Sequence, residues 1–173
     1  MSTRRALLTF PLALAALAAC GSPPPAASPA AAAAAGPAPV PASLDFSGTT
    51  LDGAPYDAAA LAGKPAVLWF WAPWCATCAG QAQSVRDFDE EYAGRIAFLG
   101  VAGMGTATAM REFVSDMEVG AVTHLNDPKL KIWTKFTIVE QSTYVLLDAA
   151  GTIVTRSYLD DLALTGALKK LAG

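Results

Sequence analysis

Positive charge, histidine and cysteine are all scarce in this chain, and each scarcity removes a class of function. Of its 173 residues 12 are basic, or 10 once Arg4 and Arg5 of the N-terminal leader are set aside, against 15 acidic. Without a basic patch nothing can neutralise a phosphate backbone, so no nucleic-acid partner is expected. His124 is the sole histidine. With a cysteine pair it offers three ligands where a structural zinc site takes four, so no metal ligand is assigned. Three cysteines do not make the disulfide framework that holds small secreted domains together. The apolar run at 6–19 is about 14 residues, short of the roughly 20 that span a bilayer as a helix.

What is present begins with an export leader. Two arginines followed by that apolar run read as a signal peptide over 1–19, outside the fold. Leu17-Ala18-Ala19-Cys20 resembles a lipobox, which implies diacylglycerol on Cys20, cleavage after Ala19 and attachment to the outer face of the cell membrane. Ordinary cleavage at a small-residue site is the alternative and leaves a secreted protein. Thr3-Arg4-Arg5 also resembles a twin-arginine signal, so the export route stays open. Residues 21–43 are mostly Pro, Ala, Gly and Ser, with no charge and no apolar periodicity, and 20–43 is read as the lipidated cysteine and its tether. That leaves 44–173 as one domain.

The domain is organised around 66–78. Residues 66–71 are a short apolar and aromatic run, the pattern of a buried strand, whereas the sequence after Cys75 has helical periodicity with Ala82, Val85, Phe88 and Tyr92 on one stripe. Cys75 therefore falls where a strand hands over to a helix. Free backbone N–H groups and the positive end of the helix dipole favour thiolate there, which brings a cysteine from a pKa of about 8.5 into the range of roughly 3.5 to 7.5. Cys78 lies about one turn on, within reach of a disulfide and pointing back into the protein. Cys75 is thus the exposed, attacking sulfur and Cys78 the resolving one.

Other elements follow in order. A hairpin is expected over 44–56 with its turn at Asp52-Gly53, then a short capped turn from Asp57 and a second core strand at 95–101. Thr106 or Thr108 caps a helix that carries Met110, Phe113, Val114 and Met117 inward, and Asp127-Pro128 starts another. Strands at 144–147 and 152–155 are joined by a turn at 148–151, and Asp160 or Asp161 caps a last helix. His124 is read as a loop or strand-end residue. The order predicts an α/β fold, a mixed central sheet flanked by helices with an N-terminal β-hairpin extension.

Phe70-Trp71-Ala72-Pro73-Trp74-Cys75-Ala76-Thr77-Cys78 resembles the active site of the thioredoxin superfamily. The lead-in at 47–71 and the stretch at 125–154 resemble its extracytoplasmic DsbE/TlpA-like branch of thiol–disulfide oxidoreductases, so the likeness covers the chain from about Leu44 onward. It implies a thioredoxin-like fold and no cofactor beyond a redox-active Cys75–Cys78 disulfide. Trp74 is expected to shield one side of that disulfide and to offer apolar contact to a substrate. Ala76 and Thr77 set how well the thiolate is stabilised, through backbone N–H groups and the Thr77 hydroxyl.

Three positions depart from the family pattern. Its cis-proline before the third core strand is matched here by Ser142, between Gln141 and Thr143. A cis bond ahead of a non-proline residue costs roughly 2.5 to 4 kcal/mol, so the Gln141–Ser142 peptide is expected to be trans and the loop either reshaped or strained. The family's buried acid before the first cysteine is Trp69, and the branch's Glu after the second is Gln81. With no carboxylate near Cys78, water or a more distant acid such as Asp57 is left to take its proton, and resolution of mixed disulfides should be slow.

The resulting expectation is a monomeric, membrane-tethered enzyme that exchanges disulfides with exported cysteine-containing proteins, recycled by a membrane redox partner. Oxidation is favoured over reduction. The alternatives are a thiol reductase serving cytochrome c maturation and, from a different class, a copper metallochaperone or binding lipoprotein. A peroxidase fits less well, because no Thr and Arg surround a lone peroxidatic cysteine.

Overall fold

The apolar run at 66–71 becomes a strand buried along its whole length, because it is paired on both edges and covered on both faces. The computed structural model describes residues 39–173; the leader, Cys20 and the tether through 38 lie outside the described residues. In chain order the strands are β1 (Ser47–Thr50), β2 (Pro55–Asp57), β3 (Ala66–Trp71), β4 (Ala97–Ala102), β5 (Thr123–Asn126), β6 (Thr143–Leu147) and β7 (Ile153–Ser157). The helices are α1 (Ala76–Glu91), α2 (Ala107–Asp116), α3 (Lys131–Lys135) and α4 (Asp161–Leu171). One seven-stranded sheet runs β2-β1-β5-β4-β3-β6-β7. Strands β3, β4 and β5 are parallel to one another, and the remaining pairs are antiparallel. This is the expected mixed sheet, with the N-terminal hairpin β1–β2 added at the edge of β5.

Alternation along β3 divides the interior into two cores. Val67, Trp69 and Trp71 pack with Val85 of α1, Phe113 of α2 and Leu164 of α4. Leu68 and Phe70 enter the other core with Ile132 and Trp133 of α3 and with Leu44 and Leu61 from two 3-10 turns, Ala42–Leu44 and Ala58–Leu61. Burying each such side chain contributes about 1.5–3 kcal/mol, so β3 is held rigidly at the centre of the sheet. That rigidity holds the end of β3 and the start of α1 in place.

Helix starts follow the capping chemistry. Thr106 accepts from Ala109 N at 3.2 Å to open α2, and Asp160 accepts from Ala163 N at 2.8 Å to open α4. The third helix differs from expectation. It begins at Lys131 and not at Asp127-Pro128, because Leu130 sits at φ 52° and turns the chain first. Asp127 still caps it from four residues upstream, accepting from Lys131 N and Ile132 N at 2.8 Å and from Trp133 N at 3.0 Å.

The domain's contacts also reach back before Leu44. Lys135 Nζ donates to Ala42 O at 2.8 Å, and the Ser43 hydroxyl donates to Gly151 O. Gly151 is at φ 78°, where a Cβ would run into the Pro41 ring. No helix among the described residues is long and apolar enough to cross a membrane.

Candidate active site

Strand β3 ends at Trp71 and the chain passes through Ala72-Pro73-Trp74 before α1 begins, which makes Cys75 the N-cap residue. Its backbone is extended, at φ −89° and ψ 109°, and its Sγ accepts the Cys78 N–H at 2.9 Å. A sulfur thus takes the place that a Ser or Asp oxygen takes at an ordinary cap. Cys75 and Cys78 are joined in a disulfide, with their Cα atoms 5.2 Å apart. Cys78 is fully buried and Cys75 is 5% exposed. Both cysteines are buried, so Cys75 is far less exposed than an attacking sulfur was expected to be, with Ser142 Oγ only 3.1 Å from its Sγ.

Trp74 is 58% exposed, and its indole N–H donates to Met104 O at 2.7 Å, which ties the turn before α1 to the loop after β4. Beside it a cleft of about 490 Å³ opens next to Cys75, floored by Ala79, Phe113 and Met117 and also lined by Glu112 and Asp116. A second cleft, of about 640 Å³, includes Asp52, Arg111 and His124 and touches neither cysteine.

The Gln141–Ser142 peptide is trans, as no described residue has a cis peptide bond. The loop is reshaped instead. Ser142 sits at φ 65°, a left-handed conformation uncommon for serine. This turns its hydroxyl onto the disulfide, with Oγ 3.1 Å from Cys75 Sγ and 3.3 Å from Cys78 Sγ. Thr143, the first residue of β6, donates its hydroxyl to Glu140 O at 3.0 Å and closes the same loop, while Gln141 is half-buried. Ala76 and Thr77 are both exposed. Among the described residues the side-chain hydroxyl that reaches the sulfurs is therefore that of Ser142 and not that of Thr77.

The two positions lacking the family's acids meet in space. Trp69 Nε1 donates to Gln81 Oε1 at 2.9 Å, and Gln81 Nε2 donates to Ser142 O at 3.1 Å, so a buried chain of hydrogen bonds runs from the sheet to the loop over the disulfide. Asp57 takes no part. It lies on β2, at the far edge of the sheet, with β1, β5 and β4 between it and β3, and its carboxylate caps the 3-10 turn through Ala59 N at 2.9 Å. The distant-acid expectation fails for that residue.

His124 is not a loop residue but the second residue of β5. It is buried within β5, where Trp71 Nε1 donates to Nδ1 at 3.2 Å and Nε2 lies 3.0 Å from Val119 O. An accepting Nδ1 requires the neutral tautomer with its proton on Nε2, donated to Val119 O. Burial lowers its pKa to about 4, against the opposing pull of the Val119 carbonyl. Gly100 makes room for the ring, since a Cβ there would overlap Nδ1. Both ring nitrogens are committed, and no group of three or more His, Cys, Asp or Glu side chains among the described residues could hold a metal.

Sequence reasoning placed the cysteines, Trp74 and the Ser142 loop together but missed the Trp69–Gln81 and Trp71–His124 pairs. The available signal was the joint loss of two acids: an indole N–H and an amide at those two positions can satisfy each other.

A cysteine pair at the N-cap of the helix that follows the central strand, in a sheet of this order, defines a thioredoxin-like protein with a dithiol–disulfide site. Residues 39–156 match the AhpC/TSA family, and the chain belongs to it. It is 41% identical over 109 residues to the soluble secreted antigen MPT53 of Mycobacterium tuberculosis, a match covering 63% of this chain and 62% of that relative's length. Among solved structures it resembles MTB DsbF in its mixed oxidised and reduced forms, with TM-score 0.73 and 40% identity over 77% of this chain and 99% of that one. It also resembles a secreted Mycobacterium tuberculosis disulfide oxidoreductase homologous to E. coli DsbE, with TM-score 0.68 and 36% identity over 75% and 98% of the two chains.

Proposed function

We propose that this chain is an extracytoplasmic thiol–disulfide oxidoreductase that passes the Cys75–Cys78 disulfide to exported cysteine-containing proteins. The observation that carries this reading is the disulfide at the N-cap of α1, with Cys75 the sulfur nearer solvent and the Cys78 N–H directed at it. A substrate thiolate attacks Cys75 Sγ; the Cys75–Cys78 bond breaks and Cys78 leaves with the electron pair. A second substrate thiolate then attacks the substrate sulfur of the mixed disulfide and releases Cys75 as thiolate. The substrate loses two electrons and the pair gains them, becoming a dithiol that a membrane redox partner must reoxidise.

We favour oxidation as the direction, because stabilising the reduced pair raises its potential. A hydrogen-bond donor aimed at Cys75 Sγ interacts more strongly with thiolate than with disulfide sulfur, and every 1.4 kcal/mol so gained raises the potential by about 30 mV. That supports oxidation. Export is supported by the leader at 1–19 and by the relatives described as secreted. Cys20 is the proposed lipid anchor, 20–43 the tether and 44–173 the working domain of a monomer.

The test is a redox titration against glutathione, with trapping by Cys78→Ser. A potential near about −120 mV and captured exported proteins are expected; a value near about −270 mV makes the protein a reductant.

A further inference from the structure

Ser142 holds the one hydroxyl among the described residues that bonds to both sulfurs, and it has no other side-chain partner there. It is 6% exposed, so water does not compete freely for it. Its backbone is in the left-handed region, where an L side chain is strained, and that conformation is held by Gln81 Nε2 on its carbonyl and, behind that, by Trp69 Nε1 on Gln81. A strained residue fixed from behind and aimed at the reacting atoms is a candidate for chemistry and not only for packing.

We propose that Ser142 is a catalytic residue: its hydroxyl is a single hydrogen-bond donor shared between Cys75 and Cys78, turning to whichever sulfur carries negative charge. This rests on the oxidoreductase reading. A hydroxyl has one proton to donate and rotates at little cost. In the dithiol form it donates to the Cys75 thiolate. When a substrate thiolate attacks Cys75 Sγ and the disulfide breaks, charge arrives on Cys78, which is fully buried, and the same hydroxyl turns to it from 3.3 Å. The serine keeps its proton throughout; the electron pair moves from substrate sulfur to Cys78, and no further oxidant is needed. Already within 3.3 Å of Cys78 when the charge develops, such a donor stabilises the transition state at the cost of one hydroxyl rotation.

Three substitutions in the full chain separate this role from a merely structural one. Ser142→Gly removes the hydroxyl but suits φ 65°, Ser142→Ala removes it and keeps the strain, and Ser142→Thr keeps a hydroxyl while worsening the strain. The readouts are the Cys75 thiolate titration, followed by absorbance near 240 nm, the equilibrium constant with glutathione, and thermal melting. Gly and Ala variants are expected to raise the Cys75 pKa by about one unit and to shift the equilibrium about tenfold toward disulfide, some 30 mV lower in potential. The Gly variant should melt no lower than wild type, whereas the Thr variant should melt lower yet titrate as wild type does. Titration and equilibrium within about twofold of wild type in both the Gly and Ala variants overturns the proposal and leaves the oxidoreductase reading standing. A wild-type pair that does not cycle between dithiol and disulfide overturns both.

Discussion

Trp69 and Gln81 satisfy each other: the indole N–H donates to Gln81 Oε1 at 2.9 Å, at two positions where the related enzymes are expected to carry acids. Gln81→Glu keeps an acceptor for Trp69 but loses the donor to Ser142 O. It also puts a proton acceptor beside Cys78, and stopped-flow kinetics should show faster attack of Cys78 on a mixed disulfide formed between Cys75 and a substrate thiol; an unchanged rate contradicts the idea that acid loss limits this step. The gain has a stability cost. Burial would raise the pKa of the introduced carboxyl, while in the unfolded chain it ionises at about 4.3, so the variant should be most stable below that pH and weaken as pH rises toward the folded value.

His124 is expected to make stability fall in acid. Its folded pKa is about 4 against an ordinary 6.5, so below 6.5 the unfolded state binds the proton that the folded state refuses. The stabilisation is fully present above pH 6.5 and is lost as pH falls toward 4, amounting to about 3 kcal/mol. His124→Gln can still accept from Trp71 and donate to Val119, but it cannot titrate. Urea unfolding from pH 7 to pH 4 should show wild type losing about 3 kcal/mol more than the variant, and parallel profiles would contradict the assignment.

Asp127 holds the start of α3 through three backbone N–H groups from a buried position. Asp127→Ala leaves them unpaired and should cost about 2–4 kcal/mol by chemical denaturation, since α3 also carries Trp133 into the core. The Cys75–Cys78 potential should not move.

Trp74 is more than half exposed, so Trp74→Ala should change stability by no more than about 0.5–1 kcal/mol even with the bond to Met104 lost. If its face receives substrate, the rate of oxidation of a cysteine-containing peptide should fall severalfold while the potential stays near that of wild type. An equal fall toward a small thiol such as cysteine would show that the tryptophan shapes the disulfide itself and not the peptide's approach.

The strand and helix pattern was legible because local chemistry dictates it. An all-apolar run gave β3, and the caps at Thr106 and Asp160 lay at the starts of helices with clear stripes. Asp127 was recognised as a cap, but its reach across Leu130 was not, since nothing in the sequence announces a leucine at φ 52°. The site was legible where family likeness and local periodicity coincide, at Cys75 and Cys78. It was illegible where residues far apart in sequence share a buried hydrogen bond: Trp71 with His124, Trp69 with Gln81, and Ser142 with both sulfurs. A lone histidine read as peripheral proved central because Gly100, on the neighbouring strand, leaves space for its ring.

Everything proposed for function depends on Cys75 being an acidic thiol once reduced. The direct measurement is the rate of iodoacetamide alkylation of the reduced protein as a function of pH, with Cys78→Ser used to assign the reacting sulfur. The account predicts a half-maximal rate inside the range of roughly pH 3.5 to 7.5, and a midpoint near the free-thiol value of about 8.5 would contradict it.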